Sequence, residues 1–556
     1  MRRLARPPSD LASHYDAVVV GSGYGGGVAA ARLARAGKRV AVLERGREIA
    51  TGDFPRKFSD LRNELQLSGR QLRLGSATGL YDVRLGQDMH VLVGCGLGGG
   101  SLINAGVALA PDPRVFADPV WPAELAQDPL LERGFLEARR WLRPARDPAA
   151  AARRKFQALG AVSAGLGVTP VAAPVTVSFA DVVNPAGVRQ PACTLCGDCC
   201  GGCNVGAKNT VAVTYLPEAV RHGAAIFTHT KVRSLLRDRD GDWCLECEVA
   251  AAGGGAPSRR TVRADLVVLA AGSLGSTEIL LRSRQRGLAL SDRLGRQFSG
   301  NGDIIAFGWG GRLPVAAVGV GHPPKIEAVI GATVSGQLEI VDGACLEQGL
   351  TIQEGSLPSA LAPILPVLFL PNGRLLGALK SLISGVYEGA FQSLQTFFAV
   401  SHDSAAGQLQ LVGDRLELTW PGVKDEAVYR RLDGTLTALA TAAGGRYVKH
   451  PLAGTLVGHQ PVTAHPLGGC GIGHDRHDGV VNHKAQVFWA RPGAGPGEVH
   501  QGLYVMDGAI MPRSLGANPL LTITALAERA MLHMAADLGF AAPAAAKPVA
   551  AAVAAI

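Results

Sequence analysis

The sequence has few aromatic and few charged residues for its length, and it has no run of charge of one sign. Aromatic residues make up 5% and charged residues 18% of the 556 positions. The net charge is +9, yet no Lys/Arg-rich segment of the kind that binds nucleic acid occurs. These scarcities predict no nucleic-acid partner and a mildly basic surface, which leaves open a weak attraction to acidic proteins or anionic lipids.

The sequence also lacks a hydrophobic run long enough to cross a membrane. The most apolar stretch, residues 357–371, is too short and is interrupted by prolines. The N-terminal segment contains arginines but no apolar stretch before the first predicted strand, so no Sec signal peptide is expected. The expected location is cytoplasmic, with a peripheral membrane contact left open. The Ala/Pro-rich residues 541–556 are predicted to form a flexible tail.

Cysteine is scarce, with 10 in the chain, and the cysteines are not spread as in a disulfide framework. This distribution favours a reducing compartment. Five of the cysteines fall within CTLCGDCCGGC, residues 193–203. Chemistry that depends on several cysteines is therefore expected in this one segment rather than elsewhere in the chain.

Four cysteines of this segment have the spacing C-x2-C-x2-C-x3-C, which resembles the ferredoxin run except that Asn204 replaces the usual proline. The spacing predicts a [4Fe–4S] cluster, and the adjacent Cys200 leaves the choice of ligands ambiguous. Zinc is one alternative, although structural zinc sites usually use two separated pairs, and a disulfide is another. The predicted ligands are Cys193, Cys196, Cys199 and Cys203.

A dinucleotide motif is present near the N-terminus. YDAVVVGSGYGGGVAAARLARAGKRVAVLERG reads as strand, glycine turn, helix and strand. Gly21, Gly23 and Gly26 form G-x-G-x-x-G, and the helix that follows presents its N-terminus to phosphate groups. Glu44, at the end of the second strand, is placed to accept hydrogen bonds from a ribose. The motif alone does not decide between NAD and FAD.

Further segments carry a resemblance to a known family. VGCGLGGGSLINAGVAL and LYVMDGAIMPRSLGANPLLTITALAERAM resemble the flavin-contacting parts of the glucose–methanol–choline (GMC) oxidoreductases. TAHPLGGCGIG resembles the active-site segment of the cholesterol-oxidase branch of that family, and ADLVVLAAGSLGSTEILLRS and SHDSAAGQLQL match further parts. The chain is identified as a member of this family from about Tyr15 to Leu538.

The resemblance implies bound FAD. The helix that begins near Pro519 would direct its N-terminus at the flavin and stabilise negative charge on it. The implied FAD contacts are Gly21, Gly23, Gly26, Glu44, Gly98, Gly99, Ser101, Asn104, Val232, Ala271, Gly272, Asp507, Gly508, Asn518 and Pro519.

The resemblance also implies three catalytic residues. His465 matches the base or orienting histidine, and Asn518 matches the second position of the family's pair, where it donates to the substrate oxygen but takes no proton. Glu354 resembles the buried carboxylate that cholesterol-oxidase-type enzymes place beside the substrate. A surface glutamate on a loop is the alternative for Glu354. The apolar stretch 357–370 that follows is interpreted as a wall or lid of a hydrophobic pocket, or as plain core.

The fold class implied is α/β, or α+β overall, with a Rossmann-like FAD domain and an interleaved antiparallel-sheet substrate domain. The alternation in residues 407–422 predicts a hairpin of the substrate sheet. The cysteine segment would form a separate loop. Residues 10–110, 204–300 and 455–540 are assigned to the FAD domain, and residues 111–192 and 301–454 to the substrate domain.

The predicted function is FAD-dependent oxidation of a hydrophobic alcohol, a sterol or a long-chain alcohol, with hydride transfer to flavin N5. Electrons would leave through the [4Fe–4S] cluster to an external one-electron acceptor such as a cytochrome, a quinone or a ferredoxin-like protein. One alternative is an oxidase that uses O2 and in which the cysteine loop is structural. A non-redox flavin lyase and an electron-transfer subunit are alternatives from other classes.

Overall fold

A computed structural model describes residues 3–70, 72–250, 255–368, 386–449 and 460–541. Within these ranges the strands are β1 (His14–Val20), β2 (Val40–Leu43), β3 (Leu65–Ser68), β4 (Arg73–Gly75), β5 (Tyr81–Leu85), β6 (His90–Gly94), β7 (Val171–Ala172), β8 (Val182–Val183), β9 (Arg189–Gln190), β10 (Ala225–Phe227), β11 (Thr230–Arg237), β12 (Trp243–Val249), β13 (Ser258–Leu269), β14 (Ile304–Trp309), β15 (Gly336–Ile340), β16 (Leu350–Gly355), β17 (Gln395–Val400), β18 (Gln408–Val412), β19 (Arg415–Thr419), β20 (Arg446–Val448), β21 (Val462–Thr463), β22 (Gln486–Phe488) and β23 (Val499–Val505).

The helices of the same ranges are α1 (Tyr24–Arg35), α2 (Phe58–Asn63), α3 (Arg114–Ala117), α4 (Ala123–Ala126), α5 (Pro129–Leu142), α6 (Arg154–Ser163), α7 (Tyr215–Arg221), α8 (Gly272–Gln285), α9 (Leu365–Leu368), α10 (Ala427–Ala442) and α11 (Leu520–Leu538). Short 3-10 turns connect several of them. In the part of the chain that the structure describes, no helix is both long and apolar enough to span a membrane.

The larger sheet contains a parallel core in the order β10–β2–β1–β13–β23, and β12 and β11 continue it beyond the first half of β13. β1 is buried without interruption from Ala17 to Val20, as expected for a parallel strand covered on both faces. α1, α7 and α11 pack on one face and α8 on the other, each through its own apolar cluster. The predicted strand–helix–strand unit is confirmed by β1, α1 and β2.

A second sheet has the order β20–β14–β17–β16–β15–β7, and all its pairings are antiparallel. α6 and α10 cover one of its faces with leucine, valine and tyrosine side chains. The predicted α/β fold class, a Rossmann-like part combined with an antiparallel sheet, is confirmed. The predicted domain boundaries stay a prediction, and the predicted tail lies, apart from Ala541, outside the described residues.

The predicted hairpin is present as β18 and β19, but its assignment to the substrate sheet is wrong. The two strands form a sheet of their own. Leu409 N–H of β18 donates to Gly295 O at 2.7 Å, and the hairpin packs against α8. Alternation along a segment predicts a hairpin, but it does not specify which sheet or helix the buried side will face.

The apolar stretch after β16 packs as core in its described part. Residues 359–364 form a 3-10 turn that continues into α9. Ala362 and Leu365 join an apolar cluster with Phe307, Trp309 and Phe391 on the outer part of the antiparallel sheet. The rest of the stretch, from residue 369 on, lies outside the described residues.

Candidate active site

The loops predicted to hold a dinucleotide meet at one edge of the larger sheet. Gly21 follows β1, Glu44 follows β2, Gly272 comes shortly after β13, and Asp507 shortly after β23. Because these strands are parallel, their carboxyl ends share one edge, which is where open α/β sheets bind ligands. Hydrogen bonds join the loops: Gly21 N–H donates to the backbone oxygen of Leu43 at 2.8 Å, and Gly272 N–H donates to the side-chain Oδ2 of Asp507 at 2.9 Å.

The glycines of the first loop form a cradle that fits a pyrophosphate. A Cβ on Gly21 would lie 2.3 Å from Ala270 O, and one on Gly26 would lie 2.1 Å from Gly21 O. A Cβ on Gly23 would meet no atom within 4 Å. Two glycines are therefore required by close backbone packing, and the third leaves open space at the N-terminus of α1. That N-terminus carries free N–H groups and a partial positive charge, which suit a phosphate.

A glycine outside the predicted triplet is the most crowded of this loop. A Cβ on Gly25 would lie 1.5 Å from Met506 O. We expect Gly25→Ala to displace α1 from the strand end before Asp507, to lower FAD occupancy, and to cost about 1–3 kcal/mol of stability or more by overpacking. FAD content and thermal unfolding measure both effects.

Gly434→Ala is the matched control for Gly25→Ala. Gly434 is exposed on α10, and an added Cβ would meet nothing within 4 Å. Alanine favours a helix over glycine, so this variant is expected to keep its FAD and its stability. Equal FAD content in both variants would contradict the packing argument.

Glu44 is fixed at the sheet edge by a residue that the sequence reasoning missed. Its Oε2 accepts from Ser22 Oγ at 2.6 Å and from Ser22 N at 3.2 Å, and its Oε1 accepts from Gly46 N at 2.8 Å. Gly98 N–H donates to the same Ser22 Oγ at 3.0 Å. Ser22 thus joins the predicted ribose-binding carboxylate to the second glycine loop. The signal was present, since Ser22 lies inside the G-x-G-x-x-G motif.

The second glycine loop lies against the start of α1. A Cβ on Gly99 would lie 3.0 Å from Gly23 Cα. Asn104 Nδ2 donates to Tyr24 Oη at 2.7 Å, and burial raises the pKa of Tyr24. Ser101 Oγ closes the loop by donating to the carbonyl three residues before it. The predicted residues of this loop therefore border the cradle.

Two further predicted contacts lie at opposite ends of the cradle. Val232 is buried on β11, two residues after Thr230, whose N–H donates to Glu44 O at 2.9 Å. At the other end, Asp507 Oδ2 accepts from Ser276 Oγ at 2.5 Å, and burial raises the pKa of Asp507 to about 6. Asp507 thereby ties the loop before α8 to the strand end that precedes Gly508. The neighbouring Ala271 N–H also donates to Ser276 Oγ.

His465 is held by an aspartate that was not predicted. Its Nδ1 lies 2.9 Å from Asp303 Oδ1. Asp303 Oδ2 also accepts from His465 N at 3.1 Å, from Ala464 N at 3.0 Å and from Thr463 Oγ1 at 2.9 Å. Both the ring and the backbone of His465 are therefore fixed. Just beyond it, Gly468 N–H donates to Gly508 O at 2.9 Å, which joins this segment to the cradle.

Asn301 links the histidine loop to the loop before Asn518. Asn301 has a left-handed backbone with φ of +59°, which places it next to residues 515–517. Its Oδ1 accepts from Leu515 N at 2.9 Å and from Gly516 N at 3.2 Å, and its Nδ2 donates to Ala517 O at 3.0 Å. The segment 299–303 therefore positions His465 and the approach to Asn518 together.

Asn518 precedes Pro519, the N-cap of α11, as predicted for a helix start at this point. Its side chain pairs with Gln353 of β16. Gln353 Nε2 donates to Asn518 Oδ1 at 2.6 Å, and Asn518 Nδ2 lies 3.4 Å from Gln353 Oε1. Both side chains are buried. Gln353 was not predicted, although it is adjacent to Glu354.

Glu354 lies in a buried ion pair. It is fully buried on β16, so the alternative of a surface loop glutamate is wrong. Its Oε1 accepts from Ser335 N at 2.8 Å and Gly336 N at 2.6 Å, and its Oε2 lies 3.2 Å from Lys155 Nζ. Burial raises the pKa of Glu354. The described contacts bring Gln353, rather than Glu354, to Asn518, and the predicted place of Glu354 beside a substrate stays a prediction.

The four spaced cysteines line one small cavity. Cys193, Cys196, Cys199 and Cys203 border it, together with Lys208, whereas Cys200 does not. All 10 cysteines are free. Leu195 N–H and Thr333 N–H point at two of the sulfurs, at 3.3 and 3.5 Å. Burial raises the pKa values of Cys193, Cys196 and Cys199.

The spacing of the sulfurs bears on which metal they fit. Tetrahedral zinc with Zn–S bonds of about 2.3 Å needs sulfurs about 3.8 Å apart. Among the residues that the structure describes, the one group of three or more ligand atoms within 4.8 Å of one another is His14, Asp242 and Asp265 on the surface. No three of the cavity thiols are that close, so the described positions of the sulfurs do not match a tetrahedral zinc site.

Lys208 connects the cysteine cavity to the second glycine loop. It is buried, and its Nζ donates to Cys199 O at 3.0 Å, to Asn104 O at 2.5 Å and to Leu102 O at 3.3 Å. Burial lowers the pKa of Lys208. The nearby sulfurs of Cys199, Cys200 and Cys203 act in the opposite direction and raise this pKa.

Comparisons with known proteins find a matching family and several similar relatives. A family model described as GMC oxidoreductase matches residues 15–299, and its C-terminal counterpart matches residues 452–527. Similar relatives include a cholesterol oxidase of Mycobacterium tuberculosis, 29% identical over 93% of this chain and 90% of that protein, and one of Acinetobacter baumannii, 27% identical over 94% of each. A long-chain-alcohol oxidase of Arabidopsis thaliana is 26% identical over 92% of this chain and 66% of its own length.

A solved structure supports the fold. Pyridoxine 4-oxidase from Mesorbium loti superposes with a TM-score of 0.57 over 93% of this chain and 98% of that one. The two sequences are 19% identical, so the likeness concerns the fold alone.

Proposed function

Because the chain belongs to the GMC oxidoreductase family, and is therefore an FAD-dependent enzyme acting on alcohol CH–OH groups, we propose that its substrate is an apolar alcohol, a sterol or a long-chain alcohol. The observation that carries the proposal is the His465–Asp303 pair, which shares the segment 299–303 with the approach to Asn518. The names of the relatives support the substrate class.

His465 is proposed as the base that takes the hydroxyl proton. A carboxylate only accepts hydrogen bonds, so the contact with Asp303 requires a proton on Nδ1 and leaves Nε2 as the acceptor. Bound FAD supplies the acceptor for the hydride that leaves the alcohol carbon. Asp303 remains beside the ring and stabilises the imidazolium after proton transfer.

Asn518 is proposed to orient the alcohol oxygen. Gln353 Nε2 donates to Asn518 Oδ1, which fixes the direction of the amide. One hydrogen of Asn518 Nδ2 faces Gln353 Oε1 at 3.4 Å, and the second is left to donate to the alcohol oxygen. Asn518 also stands at the start of α11, where the helix dipole favours negative charge. Glu354, held by Lys155, is proposed to position β16 and hence Gln353.

The Asp303→Asn variant is expected to lower turnover about 10²-fold, because an amide donor facing Nδ1 favours the tautomer that has its proton on Nε2. The rate of carbonyl formation measures this effect. FAD content should not change, since the described hydrogen-bond partners of Asp303 are residues 300 and 463–465. Asp240→Asn, in an exposed turn, is the control, and equal rates in the two variants would argue against the proposed role of Asp303.

The substrate class is tested with a panel of alcohols. FAD-loaded protein is mixed with a sterol, a long-chain primary alcohol and a short alcohol, each with O2 or with an artificial one-electron acceptor. Mass spectrometry identifies the carbonyl products. Faster conversion of the sterol or the long-chain alcohol than of the short one is expected. Preference for the short alcohol, or no carbonyl product from any of them, would refute the proposal.

We further propose that Cys193, Cys196, Cys199 and Cys203 hold a [4Fe–4S] cluster that passes electrons one at a time to an external carrier. Two observations support this proposal. The four thiols line one cavity, and Lys208 joins the cavity to the second glycine loop. Such a centre accepts single electrons, which suits the two-step reoxidation of a flavin.

Iron and acid-labile sulfide on anaerobically purified protein test the cluster. About four of each per FAD, with an EPR signal after dithionite reduction, are expected. Metal-free protein that forms peroxide rapidly from an alcohol and O2 would instead support the alternative, an oxidase with a structural cysteine loop. In that case the alcohol chemistry at His465 would stand and the cluster would not.

A further inference from the structure

Lys208 is a buried cation without a carboxylate partner among the described residues. Lys208 is 2% exposed, and the described acceptors of its ammonium group are three backbone carbonyls. Lys155, the other fully buried lysine beside the cysteine loop, lies 3.2 Å from Glu354. An ammonium taken out of water without an opposite charge is costly, so the surroundings of Lys208 call for an anion.

The cavity beside Lys208 can supply that anion only if its thiols are ionised. Cys199 and Cys203 line the cavity that also borders Lys208, and Lys208 donates to the carbonyl of Cys199. Metal coordination converts thiols to thiolates. Four thiolates around a metal centre carry net negative charge, which complements one ammonium.

The Nζ atom of Lys208 also contacts the second glycine loop, which borders the dinucleotide cradle. Lys208 Nζ donates to Asn104 O at 2.5 Å, and Asn104 Nδ2 donates to Tyr24 Oη at the start of α1. The carbonyls of Cys199 and Asn104 thus lie within 3.0 Å of one atom. A single side chain spans the cysteine loop and the loop that borders the dinucleotide cradle.

We propose that Lys208 is a positioning residue of the electron route. Its positive charge balances the negative charge of the Cys193–Cys203 metal centre, and its hydrogen bonds connect that centre to the second glycine loop. This inference rests on the proposed metal centre. A positive charge next to the centre stabilises its reduced form, so the charge of Lys208 should raise the reduction potential.

Lys208→Met and Lys208→Arg test the inference, because methionine removes the charge and arginine keeps it. Each is purified anaerobically, and iron, labile sulfide and FAD are measured before an EPR-monitored redox titration. Lys208→Met is expected to shift the one-electron potential to lower values by at least the equivalent of a tenfold change in equilibrium constant, about 59 mV. Lys208→Arg is expected to stay near the unmodified protein.

Lys325→Met is the matched control. Lys325 donates to Ser359 O and lies near the cysteine loop, but its charge is offset by Asp198. Its removal should leave the potential of the centre close to the unmodified value. A shift as large as that of Lys208→Met would show that any lysine near the loop acts alike, and would overturn the inference.

The outcomes separate this inference from the proposals above. An unmoved potential in Lys208→Met, or equal shifts in the methionine and arginine variants, overturns the role of the Lys208 charge while the metal centre stands. Loss of iron in Lys208→Met but not in Lys208→Arg supports the need for a positive charge. Unmodified protein that holds no iron but oxidises alcohols overturns both the metal centre and the role of Lys208, and leaves the alcohol chemistry intact.

Discussion

Replacement of His465 by alanine is expected to slow alcohol oxidation about 10³-fold, within the range that a general base contributes. Asp303 holds Nδ1 of the ring, and 22% of the side chain stays exposed. Truncation removes the proton acceptor without touching the glycine cradle. FAD content should therefore match that of the unmodified protein, which separates loss of chemistry from loss of cofactor.

His474→Ala is the control for this experiment. His474 is exposed and its nearest described partner, Pro119 O, lies at 3.5 Å. Its replacement should change the rate less than twofold. Substitutions at exposed positions away from buried contacts usually change the free energy of unfolding by no more than about 0.5 kcal/mol. A His465→Ala protein with full FAD and a rate within tenfold of the unmodified one would show that another group takes the proton.

The second large effect is expected at the cysteine cavity. Cys199→Ser should abolish most of the iron and sulfide, because Cys199 is buried, borders the cavity and accepts a hydrogen bond from Thr333 N. A serine hydroxyl is a poor replacement for a thiolate ligand of iron. Transfer of electrons to a one-electron acceptor should fall with the iron content, while anaerobic reduction of FAD by the alcohol should persist.

Cys200→Ser provides a closely matched comparison, since Cys200 is the next residue along the chain but does not line the cavity. It should keep its iron. Loss of iron from Cys200→Ser and retention by Cys199→Ser would invert the predicted ligand set. Retention by both would show that the four-cysteine spacing does not define a cluster.

The cradle could be predicted from the sequence because its determinants are local. Gly21, Gly23 and Gly26 lie within six residues of one another, and Glu44 follows at the end of the next strand. Close strand–helix packing imposes glycine at fixed spacing, so the pattern reports the geometry directly. The start of the helix after Pro519 could be predicted for the same reason, because proline followed by an amphipathic run marks a helix start.

The partners of the predicted residues could not be found in this way. Asp303 is 162 positions from His465, and Gln353 is 165 positions from Asn518. Nothing in the neighbourhood of an aspartate in SGNGD or of a glutamine in TIQEG indicates what it will face after folding. The position of Lys208 was not predicted either. Its role depends on three carbonyls from two loops, which only the tertiary structure brings together.

The most direct test of the account is an anaerobic reaction of the FAD-loaded protein with one equivalent of a sterol or long-chain alcohol, in which flavin absorbance and carbonyl product are followed together. The account predicts that the flavin bleaches, that carbonyl forms in proportion, and that His465→Ala bleaches about 10³-fold more slowly. Bleaching without carbonyl, or no bleaching by any apolar alcohol in protein that holds its FAD, would contradict it.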